Sequence, residues 1–136
     1  MSLKDEERQT LVSLYLQRSD ETLEDARFNR SQKRWNASAN RLYYALFHAI
    51  TALFVSDGIP VHSHNGMKIV FGKEYVLKNL ASDEEGKLLS QMETMRERAD
   101  YDVTFSATET LLNERFDAVE MMIQHIKELV KRERQS

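Results

Sequence analysis

The chain contains no cysteine. That absence excludes disulfides, thiolate nucleophiles and cysteine-based zinc sites, and it accords with a reducing compartment. Proline occurs once and glycine four times in 136 residues, while 30% of the residues are charged. So few breakers favour long helices over a strand-rich fold. No apolar run approaches the ~18 residues that a membrane span needs. The longest, Leu42 to Val55, is interrupted by His48 and Thr51 and reads as a helix buried in a core. Nor does charge of one sign dominate: the formal net charge of −3 argues against a wholly basic nucleic-acid coat but leaves room for a local basic patch. The first ten residues, MSLKDEERQT, are charged and lack the apolar stretch of a signal peptide. A cytoplasmic protein with no membrane partner is expected.

What the chain does have is 41% hydrophobic residues, enough for one folded domain over 1–136 with a single core. A first helix is expected from about Asp5 to Asn29, with Leu11, Leu14, Leu16, Leu23 and Ala26 inward and a bend near Ser19-Asp20. A second, from about Lys33 to Ser56, is apolar on nearly every face beyond Leu42 and should be central. Asp57-Gly58-Ile59-Pro60 ends it. A short third helix is predicted from Asn65 to Glu74, with Tyr75 to Leu80 an irregular extension. Ser82 and Glu85 form a capping box for a fourth helix running to about Asp100. Ser106 or Thr108 caps a fifth, running to about Arg132, with Leu111, Leu112, Ala118, Met122, Ile126 and Leu129 as its core stripe. The expected fold is all-α, a four- to five-helix up-down bundle.

Chemistry concentrates on the central helix. Arg41, Tyr44 and His48 are spaced by three and four residues, so they share one face. Buried Arg, Tyr and His must be hydrogen-bonded or paired. They form either an internal polar network that fixes packing or a pocket for a phosphate or nucleotide.

The run from Arg41 to His48, RLYYALFH, resembles the signature helix of the HEPN family, in particular its small stand-alone bacterial and archaeal members. His64-Asn65-Gly66 followed by Phe71 resembles the family's His-x-Gly loop, and Arg96-Glu-Arg98-Ala99-Asp100-Tyr101 its Arg-x-x-Ala-Asp-Tyr element. The three matches keep the family's order and cover roughly residues 10 to 130. The resemblance implies a helical bundle, usually a homodimer, often paired with a minimal nucleotidyltransferase in a toxin–antitoxin system, and a nucleotide or RNA as ligand. Many members are metal-independent ribonucleases, with an Arg four to six residues before a His near the dimer interface. There, Arg steadies the phosphate and His moves a proton.

This chain departs from that pair. Four residues separate Arg96 from Tyr101, not from a His, and the same offset from Arg98 reaches Val103. A tyrosine, with an ordinary pKa near ~10, is a poor general base. Arg41 and His48 also fit the spacing, but on the family's other signature helix. The reading is therefore a binding module for a nucleotide, RNA or protein partner that does not cleave. Its ligand residues are Arg41, Tyr44, His48, His64, Arg96, Arg98, Asp100 and Tyr101. The alternatives are a ribonuclease toxin using Arg96 or Arg98, with Tyr101 as a substitute proton carrier, and a structural adaptor in which Arg96 and Arg98 pair with Asp100 or Asp102. No cofactor is expected. His62 and His64 sit two apart in a loop without an evident third ligand, so no metal is expected either. His125 reads as a packing residue. The cluster of Arg27, Arg30, Lys33 and Arg34 beside Trp35 reads as a solvated turn or an RNA-stacking patch. The methionines at 92, 95, 121 and 122 read as core or dimer interface.

Overall fold

The computed structural model describes residues 4–60 and 63–134. They form α1 (Asp5–Ser31), α2 (Trp35–Asp57), α3 (His64–Phe71), a π-helical turn (Gly72–Val76), α4 (Asp83–Tyr101) and α5 (Glu109–Lys131). Among the described residues there is no strand, and no helix is long and apolar enough to cross a membrane.

Side-chain contacts give the topology. Arg8 meets Val55, Ser19 meets Ala45 and Ala26 meets Ser38, so α1 and α2 are antiparallel. Asn40 meets Asp100 and Tyr43 meets Arg96, so α4 runs against α2. Asp20, Arg27 and Arg30 meet Lys127, Glu120 and Asn113, so α5 runs against α1. This is an up-down bundle. α2 packs on α1, α4 and α5, and Leu42, Tyr43, Ala45, Leu46, Ala49, Ile50, Leu53 and Phe54 are wholly buried. The central position expected of the most apolar helix is realised.

The first helix differs from expectation. It runs without a break, and its inner face consists of Val12, Ser19, Thr22, Leu23 and Ala26, while Leu14 is 55% exposed. The small residues let α1 lie close on α2. Ser19 donates to the Ala45 carbonyl at 2.7 Å, and Ser38 of α2 donates to the Ala26 carbonyl at 2.8 Å. Both hydroxyls are thereby satisfied in the core, and α1 continues as helix through Ser19 and Asp20.

The second helix begins two residues later than expected. Lys33, at φ 60°, takes the left-handed conformation that turns the chain between α1 and α2. Gly58, at φ 72°, ends α2, and Ile59 N–H closes onto the Phe54 carbonyl at 2.8 Å. Asp57 beside it accepts from Tyr75 Oη, Arg132 and Arg134, which ties the end of α5 to the end of α2. The third helix stops at Phe71 and widens into the π turn, which carries Tyr75 inward to stack on Phe54 and Phe71. Ser63 caps α3, its hydroxyl accepting from the Gly66 N–H. The capping box of Ser82 and Glu85 and the Thr108 cap are present. On α5, Phe116, Val119 and Ile123 join the buried stripe, whereas Leu111 and Ala118 stay half-exposed at its edge.

Candidate functional site

Three turns of α2 set out the face. Arg41, Tyr44 and His48 are each half-buried and lie along one side, with Phe47 between the last two. They are not linked by hydrogen bonds, contrary to the network expected of buried polar groups. Partial exposure eases that requirement, because solvent reaches part of each side chain. Arg41 instead lies over the Tyr44 ring at 5.3 Å and donates from Nε and Nη2 to Asn40 Oδ1 at 2.9 and 2.8 Å. Asn40 Nδ2 in turn donates to the Asp100 carboxylate at 3.0 and 3.2 Å. His48 is tilted against Tyr44 at 6.3 Å. Its Nδ1 is buried without a partner among the described residues. Burial, with Arg18 and Arg41 nearby, lowers its pKa and keeps the ring neutral.

The neighbouring residue, Tyr43, points into the core and connects three elements. Its hydroxyl meets His64 Nδ1 at 2.8 Å, and its ring packs on Tyr44 edge-to-face at 5.2 Å. His64, at the first position of α3, also packs on Phe47 at 4.8 Å and Tyr44 at 5.8 Å. Burial and then Arg96 lower the His64 pKa, partly offset by Glu93 and Glu97. Burial pushes the Tyr43 phenol up, beyond reach of ionisation.

α4 closes the site from the other side. The Arg96 guanidinium lies over both tyrosine rings, 5.3 Å from Tyr43 and 5.9 Å from Tyr44. Arg96 is only 6% exposed, yet it donates no hydrogen bond among the described residues. Asp100 and Glu97 stand off at 3.7 and 3.9 Å, and Nε is buried and unpartnered. Three residues before it, Glu93 is also buried, with one oxygen 3.5 Å from Lys68 and the other unpartnered. Sequence reasoning missed Glu93 and Lys68. The signal available was a carboxylate at a stripe position, four residues after Leu89 and three before Arg96.

The structure thus brings Arg41, Tyr44, His48, His64, Arg96 and Asp100 to one face. Arg98 covers the Phe105 ring at 4.6 Å and pairs with Asp102 at 3.7 Å. With Arg96, Glu97, Tyr101 and Asp102 it lines a cavity beside the cluster, where Tyr101 is 78% exposed. Of the basic residues near the first turn, Arg27 pairs with Glu24 and Glu120 and Arg30 covers Phe116, while Lys33 and Arg34 are exposed. His125 pairs with Glu85 at 2.7 Å. His62 lies outside the described residues, and among those described no three His, Asp or Glu side chains gather as metal ligands.

This arrangement offers a guanidinium with an unused donor, two neutral imidazoles and aromatic rings packed edge-to-face or tilted. It suits an anionic ligand with a flat group attached. A family model described as the HEPN domain matches residues 12–134. A "UPF0332 protein" of Thermotoga maritima is 30% identical over 95 residues, 70% of this chain and 72% of the relative. "Putative toxin MJ0605" of Methanocaldococcus jannaschii is 27% identical over 126 residues, 93% of this chain and 90% of the relative. "Putative toxin MJ0142" of the same organism is 25% identical over 89 residues, 65% of this chain and 60% of the relative.

Proposed function

The chain belongs to the HEPN domain family, and from there we propose that it binds a phosphate-bearing ligand, a nucleotide or a segment of RNA, on the face where Arg41, Tyr44, His48, His64 and Arg96 meet, without cleaving it. The observation that carries this reading is Arg96. A guanidinium withdrawn from water that makes no hydrogen bond of its own leaves donor capacity unused, and such a group costs free energy until an acceptor arrives. Phosphate oxygens are the acceptors a guanidinium fits best. Tyr44, Phe47 and His48 lie beside it as surfaces for a base. Homodimerisation and pairing with a minimal nucleotidyltransferase are part of the same proposal.

Thermal-shift titration with a panel of nucleotides and short RNAs tests it. A bound ligand at 100 times its Kd raises stability by about 2.7 kcal/mol, and Arg96→Met or His48→Ala should abolish the gain. A transition that no nucleotide and no RNA moves would refute the reading.

A second reading, a ribonuclease toxin, draws on two observations. Two relatives carry toxin in their names. In addition, His64 lies against the same two tyrosine rings as Arg96. An arginine–histidine pair absent along α4 is thus approximated in space, with Tyr43 fixing Nδ1 and leaving Nε2 to exchange a proton. Expression of the chain alone separates the readings: growth arrest relieved by His64→Ala favours the toxin, and unimpeded growth with intact bulk RNA removes it.

A further inference from the structure

The opposite side of α4 carries a second feature that the phosphate site does not use. α4 and α5 pack lightly on each other, and an open groove runs between them. Two adjoining cavities, of about 590 and 310 Å³, share Gln91 and Arg115. The wider one is floored by Leu88, Ala118 and Met122, and the narrower one by Met95, Leu111 and Phe105. Met95 and Met122 are buried beneath the surface, whereas Met121 is 75% exposed at the lip. An unbranched, polarizable Met side chain at that lip suits a surface that must accommodate another chain.

The charges along the groove are uneven. Arg115, where the two cavities join, and Lys87, on the rim, have no ion-pair partner among the described residues. Glu85 is already engaged, by Ser82 through one oxygen and His125 through the other. Arg98, at the far end, is held by Asp102. Uncommitted charge in the middle of the groove is therefore positive, with Glu84 as a negative group at one end. From Glu84 to Arg98 the groove follows α4 for about 21 Å, the length of roughly four helical turns.

We propose that this groove receives an amphipathic helix of a partner protein, one that lays an apolar stripe on Met121 and on the part-exposed Ala118, Leu111 and Phe105 and sets a carboxylate against Arg115 and Lys87. The length, the apolar floor and the single unpaired guanidinium at its centre match helix-in-groove recognition, with anchors at i, i+3 or i+4, and i+7. A small ligand would be left exposed along an open trough of this length, whereas a helix covers it.

The test uses the full chain and fluorescent helical peptides of about 16 residues. Each carries a Leu stripe, with Glu, Gln or Lys at the position facing Arg115. Anisotropy titrations should rank the Glu peptide first, roughly tenfold tighter than the Lys peptide. Arg115→Glu should reverse that order, Arg115→Gln should level it, and Met121→Asp should weaken every peptide. No binding by any peptide, equal binding by all three, or an order unchanged in Arg115→Glu would overturn the inference. So would an Arg115→Glu chain that loses only self-association, since the groove's occupant would then be a second copy. Binding of the Glu peptide by Arg96→Met, undiminished, would show that the groove is independent of the phosphate site.

Discussion

Replacing Arg96 with methionine should leave the protein about as stable as before while removing ligand binding. The magnitudes follow from what Arg96 touches. Its buried, unpartnered Nε costs about 1–3 kcal/mol. Contacts with the Tyr43 and Tyr44 faces, at 5.3 and 5.9 Å, return roughly 0.5–1 kcal/mol each. The ion pairs at 3.7 and 3.9 Å to partly exposed Asp100 and Glu97 add about 0–1 kcal/mol together. Methionine keeps most of the stem's packing and carries no donor to strand. The net change should lie within about 1 kcal/mol of zero, or some 3–5 °C in the melting temperature of a domain this size. A satisfied structural arginine would behave otherwise, since breaking a buried pair costs about 3–5 kcal/mol. Thermal melts of both proteins, with and without nucleotide, make the comparison. A loss exceeding 10 °C in the ligand-free variant would refute the reasoning and mark Arg96 as a structural residue.

Other perturbations probe the frame around the site. Asp57 is 11% exposed at its side chain; burial works against its charge, but hydrogen bonds from Tyr75, Arg134 and Arg132 outweigh this and hold its pKa below the ordinary carboxylate value. Asp57→Asn should cost about 2–3 kcal/mol at pH 7. Because the folded pKa is depressed, that contribution is present above about pH 4 and lost as pH falls through the lowered value, so the gap between the melts of the two proteins should narrow as pH is lowered below about 4; a gap that does not narrow would contradict it. His48 and His64 are held neutral by burial first, with arginines reinforcing it. The unfolded chain takes up protons below about pH 6.5 and the folded one only at lower pH, so stability should decline from pH 7.5 to pH 5. The double variant His48→Gln/His64→Gln should decline less, and a parallel decline would rule out both rings as the source. Ser19→Leu should lower the urea midpoint by an amount equivalent to about 3 kcal/mol. It overpacks the α1–α2 contact and deletes the bond to the Ala45 carbonyl; a neutral effect would mean that the helices are not in close contact there.

The elements that local chemistry specifies were legible in the sequence. Gly58 can take a left-handed stop, Ser82 and Glu85 can satisfy each other's backbone, and a helix apolar from Leu42 onward has nowhere to lie but the centre. The α1 stripe was legible only at Leu23 and Ala26, because a hydrophobicity pattern ranks Leu14 above Ser19. What decides the packing is the distance at which two backbones meet, and a serine that donates to a carbonyl across that contact is a better core residue than a leucine. Lys33 in a left-handed turn and the π turn at Gly72 were hidden for a similar reason, since tertiary packing overrides local preference there.

At the site, helical spacing aligned Arg41, Tyr44 and His48, and the run from Arg96 to Tyr101 supplies the lining of one cavity beside them. The meeting of α2, α3 and α4 at Tyr43 is a long-range fact that no local pattern contains. The Tyr43–His64 hydrogen bond and the buried Glu93 belong to it.

The most direct test of a phosphate site on this face is NMR observation of the arginine Nε–H signals during titration with a mononucleotide and with a short RNA. The account predicts that the Arg96 Nε–H signal shifts with ligand, together with the ring signals of His48 and His64, and that rising salt reverses the shift. An Arg96 signal that stays fixed while ligand binds, or while signals move only at Arg98, Arg115 or the basic turn, would contradict it.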